Sequence, residues 1–377
     1  MQVEELRARA ARRKFAIQAL LIVGVIVIIW SAIASARINL TALGITSGFG
    51  FLERSTGWSY SFSLIERDIN DTYTKTLWIG FQNSVFVGFI SIVLSTVLGF
   101  AIGTARDAYN LSIKAAATTF VQIFRNIPLI LQVVFWYAIL IHMPGPRQAI
   151  SVGELAFISN RGVMLPGLNV ASGIAVGIIA FSVLLFIALT IFKTTFGKKL
   201  ILWFSGSILA LILAGVLFTP EGESILSIPT LKGLRFVGGI TVSIELVAMI
   251  VSIVLYGSAY IAEVVRGGLQ EVPKGLIEAG QAIGLPQKAI WSRIKMPMAL
   301  RTIIPPLGNQ WIFIMKATTI GVAIGFSDLF YIVSTSITQS GQTLELIALL
   351  MGAFLTVNYL IAQLTNWLNA SLKLKGH

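Results

Sequence analysis

The 377 residues include 28 Lys or Arg and 16 Asp or Glu, a net charge of +12, yet only 12% of positions are charged while 56% are hydrophobic and mean hydropathy is +0.85. Soluble domains carry charge at about a quarter of their positions, so a water-soluble globule is excluded and a helical membrane protein is expected. With no Cys and only His142 and His377, thiolate zinc sites, cysteine nucleophiles and histidine-rich metal sites drop out as well.

Residues 1–14 form a basic tail, with Arg7, Arg9, Arg12, Arg13 and Lys14, ahead of an apolar stretch from Phe15 to Ala36. That stretch is too long for the core of a signal peptide, which predicts an uncleaved first span. Further apolar runs predict spans at about 77–103, 114–141, 170–192, 200–218, 240–264, 302–326 and 343–368, for about eight in all. Strict alternation is missing, so helices are expected in place of a barrel. If the amino end is cytoplasmic, the loops on that side hold more than twice the Lys and Arg of those opposite, which puts both termini inside, the second as the tail 369–377. Segment 37–76 is then the longest outer loop. Because the cations lie in short loops, they are read as orienting and lipid-facing charges, and nucleic acid is set aside as a partner.

Ionisable groups within spans should face protein or water, since lipid exposure costs about 2.5–3.5 kcal/mol each. Glu245 and Glu263 stand five helical turns apart on one face, about 27 Å, with Met249, Ser252, Tyr256 and Ala259 between them. Such a face could line a pathway for amino acids; equally, the two carboxylates could sit at the two water boundaries. Arg125 would lie about 16 Å into its span, just before Pro128, which frees the Phe124 carbonyl. Arg125 and Asn126 could hold a substrate carboxylate, or Arg125 could pair with a glutamate of another helix. Lys316 follows an expected break at Pro305-Pro306. Gly99/Gly103, Gly173/Gly177 and Gly321/Gly325 are spaced to let helices approach closely. No phosphate-binding loop of the G-x-x-x-x-G-K-[ST] type occurs in the sequence, so any nucleotide chemistry is expected to belong to another chain.

The loop between the sixth and seventh spans carries most of the information. From Val272 it reads VPKGLIEAGQAIGLPQKAIWSRIKMPMAL. Pro273 can open a helix, and Gly284 ahead of Pro286 can close one, which predicts two short helices in an L. At 100° per residue Leu276, Ala279, Gly280 and Ile283 share a face expected to pack on the bundle, with Glu278 and Gln281 on the other side.

Glu278-Ala279-Gly280, followed by Gly284, Ile294 and Pro297, resembles the EAA loop of ATP-binding cassette (ABC) importer permeases, with Gly280 in place of the second Ala and Met296 in place of Leu. The stretches 124–137, 259–275 and 299–316 look like the polar amino acid branch of that family. GFGFLERSTGW (48–58) and SNRGVMLP (159–166) look like the larger permease subunit (Q/B type) of general L-amino acid transporters. Lys316 is similar to the lysine that this branch carries before an acidic residue, although Ala317 stands at that next position here.

The resemblance implies an all-α type I importer permease core in two parts, 77–141 and 240–368, the second including a coupling loop at 267–300. Residues 142–239 would be an insertion with two extra spans and periplasmic loops. It implies a non-enzymatic transport subunit in the bacterial inner membrane that works with a second, different permease, two ATP-binding cassette subunits and a periplasmic amino-acid-binding protein. The chain would hold no cofactor, ATP and Mg being bound by the partner ATPase. Glu278, Ala279, Gly280, Gly284 and Pro297 would couple to the ATPase. Arg125, Asn126, Glu245, Ser252, Tyr256, Glu263 and Lys316 would line the substrate pathway. A rival reading, an ion-gradient-driven amino acid transporter or channel, would call for an inverted repeat with broken helices in matched halves, which the sequence does not display.

Overall fold

The computed structural model describes residues 2–42, 48–153, 155–191 and 196–372. Helix α1 (Gln2–Ala42) fuses the basic tail and the first span into one rod, and its apolar part, Arg13–Ala36, buries no residue against the rest of the chain. Thr72 starts α2 (Tyr73–Ala105), its Oγ1 accepting from the Lys75 backbone N–H at 3.3 Å.

The straight span expected over 114–141 is a bent pair. Helix α3 (Leu111–Asn126) and helix α4 (Leu129–Ile141) meet at 100°. Pro128 brings no N–H and holds Ile127 extended, which ends α3. The carbonyls opened by the break, those of Phe124 and Ile127, each accept from Gln132 Nε2 at 3.0 Å. Arg125 therefore lies at a corner of the chain rather than midway along a rod.

Past the bend the chain turns to short strands, a structure that the apolar runs do not signal. Strands β1 (Ile150–Val152), β2 (Ala156–Ser159) and β3 (Gly162–Leu165) form an antiparallel meander, followed by β4 (Gly167–Leu168). Helices α5 (Ser172–Ile191) and α6 (Phe196–Phe218) pack as a pair, with Ser182 Oγ and Ser207 Oγ 2.8 Å apart. Then β5 (Leu226–Ser227) pairs with β4, while β6 (Thr230–Lys232) and β7 (Arg235–Val237) make a hairpin. Strand β8 (Ile240–Val242) completes the first sheet against β3, in the register Val163↔Val242.

Strand β8 leads straight into α7 (Ile244–Gln270), capped by Ser243 Oγ on the Leu246 N–H at 3.3 Å. Helix α7 is the axis of the fold. Leu246, Met249, Ile253, Ile261, Val265 and Leu269 are buried along it against α2, α4 and the helices that follow. Helix α8 (Lys274–Ala282) comes next, and α9 (Gln287–Ile290) passes through a π-helical turn, Trp291–Lys295, into α10 (Met296–Ala317). The second expected short helix is thus the opening turn of a long one.

The expected break at Pro305-Pro306 does not occur. Helix α10 runs through both rings, with Ile303 and Leu307 buried beside α7 and Gly308 pressed against Thr365. A 3-10 segment, Thr318–Ile324, leads to α11 (Leu329–Ser340), bent by 51° from the preceding stretch, and α12 (Thr343–Leu372) returns along α10. Among the described residues five helices are continuous, long and apolar enough to cross a hydrocarbon core, and the two bent pairs would bring the number to seven.

Of the three glycine pairs, Gly99/Gly103 does what its spacing predicts. A Cβ on Gly99 would lie 2.6 Å from Ile261 Cβ, and one on Gly103 2.6 Å from Val265 Cβ, so α2 and α7 approach as far as their backbones allow. Gly173 and Gly177 face open space. Gly325, at φ +71°, is the left-handed stop of the 3-10 segment and no part of a helix pair.

Candidate functional site

A groove opens between α7 and α10, lined by Tyr256, Tyr260, Asn309, Gln310, Ile312, Phe313 and Lys316. Residues four apart on α7 and three or four apart on α10 stack above one another, which brings these side chains to one front. Tyr256 Oη and Tyr260 Oη are 3.2 Å apart, and the Phe313 ring stacks on Tyr256 with centroids 5.8 Å apart. Lys316 is exposed one turn beyond Phe313, and the Arg125 guanidinium lies 4.9 Å from the centre of the Tyr260 ring. Amide, phenol and ammonium groups around aromatic walls suit a small zwitterion, whose charged groups need partners and whose passage needs none of them to hold tightly.

At the foot of the groove Glu263 gathers three guanidinium groups. Arg106, just past the end of α2, and Arg266, one turn on along α7, both donate to it. Arg125 stands farther off, at 3.5 Å. The cluster ties the ends of α2 and α3 to α7. A second ion pair, Lys295 to Asp107, joins the π turn ahead of α10 to the α2–α3 connection, and the Lys295 Nζ lies 5.2 Å from the Trp291 ring centre.

Helix α8 hangs outside the bundle at this same end. Gly280 is its buried residue, facing Ile290 and Ile294; a Cβ there would stand 3.0 Å from Ile294 Cδ1. The α8 backbone can therefore lie close on the π turn because position 280 has no side chain. Gly284, at φ +78°, ends the helix, and the Leu285 N–H returns to the Gly280 carbonyl at 3.0 Å. Of the face expected to pack inward only Gly280 does so: Leu276 is 42% and Ile283 75% exposed, and Ala279 is exposed beside Glu278. Ile277 joins Gly280 on the inward face, so the loop turns Leu276, Ala279 and Ile283 outward together with its carboxylate.

A scan against models of protein families matches none. Whole-chain relatives do match. The Escherichia coli (strain K12) protein YhdX, named as an amino-acid ABC transporter permease, is 37% identical over 369 residues, 95% of this chain and 93% of the relative. The general L-amino acid transport system permease protein AapQ of Rhizobium johnstonii is 33% identical over 365 residues, 95% of this chain and 91% of that one. This chain belongs to the amino-acid ABC transporter permeases. BztB of Rhodobacter capsulatus, a glutamate/glutamine/aspartate/asparagine transport system permease protein, is 26% identical over 90% of this chain and 89% of its own. Among solved structures an amino acid ABC transporter overlaps 79% of this chain and 95% of its own at 16% identity and a TM-score of 0.48, so the family rests on the sequence relatives.

The permease's expected pathway residues separate into groups. Tyr256 and Lys316 line the groove, and Arg125 borders it through Tyr260. Ser252, with its neighbours Met249 and Ala259, is fully buried, and the Ser252 hydroxyl donates to the Ala248 carbonyl at 2.7 Å, so these residues face packed helices and no groove. Asn126 is exposed at the α3–α4 corner, away from the lining, and Glu245 sits at the far end of α7. Glu263 is an anchor for guanidinium groups rather than an open lining residue. Tyr260, Asn309 and Gln310 escaped the sequence reading. Asn309 and Phe313, seven and three residues before Lys316, were a legible polar and aromatic stripe on its face.

Proposed function

We propose that this permease forms one half of an alternating-access pathway for amino acids in the bacterial inner membrane, moved by an ATPase that seats α8. The other half would be a second, different permease subunit. Two ATP-binding cassette subunits would bind ATP and Mg and hydrolyse the nucleotide, and a periplasmic amino-acid-binding protein would deliver the substrate. The chain itself would be a transport subunit without catalytic residues.

The observation that carries the reading is the outward face of α8. Leu276, Ala279 and Ile283 are displayed with Glu278 on a helix fixed to the bundle by Gly280 and, through Lys295 and Asp107, to the α2–α3 turn. An apolar helical face of this kind is what a groove on a soluble partner takes. Displacing α8 would load α10 through the π turn and α2 through the ion pair, so both walls of the α7 axis would move together.

Purified permease, reconstituted with its partner subunits in vesicles, tests this. Glu278→Ala, and separately Leu276→Ser with Ile283→Ser, should leave the permease folded and cut ATP-driven amino acid uptake at least tenfold. Uptake that persists without ATPase or ATP would refute the reading in favour of an ion-gradient carrier or channel.

A further inference from the structure

We infer that Asn83 is a positioning residue for transport: together with residues 54–73 it clamps the end of α10 farthest from α8 onto α2, so that displacing α8 carries the whole groove wall. The inference rests on the proposed function and adds how motion reaches the far end of the groove.

Beyond Lys316 the wall continues through the 3-10 segment to a break at residues 325–328, where α11 turns off at 51°. Two neighbouring side chains of α2 hold that break. Asn83 Nδ2 donates to the Ser327 carbonyl at 2.8 Å, and Ser84 Oγ accepts from the Leu329 N–H at 2.9 Å. A second arm comes from residues 54–73, a loop rooted at the start of α2. The Tyr73 N–H closes it on the Arg54 carbonyl at 3.1 Å, and the Thr56 N–H donates to the Asp71 carbonyl at 3.0 Å. Tyr60 seats the loop on Ile79 of α2 and Ile332 of α11. From this seat Ser61 Oγ donates to the Gly325 carbonyl at 3.1 Å and the Phe62 N–H to Ser327 Oγ at 3.2 Å. The Phe62 ring stacks on buried Phe326, with centroids 5.6 Å apart.

Asn83 joins the two arms. Its amide nitrogen also donates to the Phe62 carbonyl at 3.0 Å, so one fully buried side chain holds the loop and the break together. Carbonyls opened at a bend within the membrane need donors, which any nearby hydroxyl can supply. An amide shared between segments 21 and 244 residues away does more, because it fixes each segment to the other. At the opposite end of α10, Lys295 and Asp107 make the matching tie to the α2–α3 connection. Between the two ties run about 45 Å of helix. Tied at both ends, α10 and α2 form one frame. With the far tie slack, displacing α8 would shift the near end and leave the far end of the groove behind.

Uptake and ATP hydrolysis, measured together on the complete complex in vesicles, test the inference. Asn83→Leu leaves both carbonyls without their shared donor and should lower amino acid uptake per ATP hydrolysed at least fivefold, with hydrolysis within about twofold of wild type. A role confined to folding would lower both and spare their ratio. The chain has no Cys, and the Ser61 and Ser327 hydroxyl oxygens are 3.1 Å apart, so Ser61→Cys with Ser327→Cys supplies a covalent clamp. Added to Asn83→Leu and oxidised, the pair should restore at least half of the lost ratio, and a reductant should abolish the restoration. A wild-type ratio in Asn83→Leu overturns the proposal, as does a disulfide that forms without restoring it. If Asn83→Leu fails to assemble, the cysteine pair in the otherwise unaltered chain decides: uptake that survives cross-linking supports a permanent clamp. Uptake halted by the cross-link, or a pair that does not oxidise, overturns it. All these results leave the permease reading standing, whereas wild-type uptake without ATP would remove that reading and involves no variant.

Discussion

Glu263→Gln removes one negative charge from a knot of three positive ones, and its effect can be worked from the exposure of each partner. The Arg106 side chain is only 11% exposed and Glu263 29%, so that pair is the most desolvated of the three. Breaking a fully buried pair costs about 3–5 kcal/mol; the water still reaching Glu263 lowers this to about 2–3. The Arg266 contact is a helical i,i+3 pair, 30% exposed on the arginine side, and adds about 0.3–0.5 kcal/mol. Arg125, 38% exposed and 3.5 Å away, adds less than about 1. The sum is a loss of about 2–4 kcal/mol, concentrated where α2, α3 and α7 meet. Unfolding of the purified permease in mixed micelles of increasing denaturing detergent, followed by tryptophan emission, measures it. The same measurement on Arg106→Met and on the double variant completes a cycle. The double variant should be markedly more stable than the sum of the two single losses, because the stranded arginine is gone. A single-variant loss below about 0.5 kcal/mol, or strict additivity, would refute the view that this knot joins the helix ends.

Two more predictions concern packing. Gly103→Ala sets a methyl group 2.6 Å from Val265 Cβ and 2.8 Å from the Ala262 carbonyl oxygen, so it should destabilise by about 1–3 kcal/mol, whereas Gly177→Ala, with nothing within 4 Å, should be neutral or slightly stabilising; equal effects in the unfolding assay would contradict the α2–α7 contact. Asp328 is fully buried, its Oδ1 accepting from the Tyr331 N–H at 2.8 Å and its Oδ2 lacking a hydrogen-bond partner among the described residues. Asp328→Asn keeps the cap without the charge and should retain wild-type stability, while Asp328→Ala should lose about 1–2 kcal/mol; if Asn proves as harmful as Ala, the carboxylate charge has a partner beyond this chain.

The membrane helices were legible because twenty apolar residues in a row leave the backbone one economical conformation in lipid, and α2, α6, α7 and α12 lie close to the hydropathy runs. Pro128 was visible, but the depth inferred for Arg125 assumed a straight helix. The 100° bend depends on Gln132, whose amide serves two carbonyls that no periodicity marks. Pro305 and Pro306 misled in the opposite sense, since neighbouring helices hold α10 through both rings. The small sheets were out of reach because their strands are two to four residues long, and β3 finds β8 across the α5–α6 hairpin. Within the site, the stripe on α7 was read with the correct period but the wrong neighbour. Met249, Ser252 and Ala259 do share a side, and other helices, not water, cover it. The loop that carries α8 was recognisable as a motif, yet which of its faces looks outward depended on Gly280, where absence of a side chain lets the backbone itself become the contact.

The turn at Trp291–Lys295 holds one residue more than an α-helical turn needs. That surplus offsets the angular phase of α9 from that of α10 by about 100°, the rotation contributed by one residue. Absorbing it would swing every side chain downstream around the axis and advance the rod by about 1.5 Å, taking Lys316 off its present bearing. The connection between α8 and the α7–α10 groove is thus a screw thread as well as a strut.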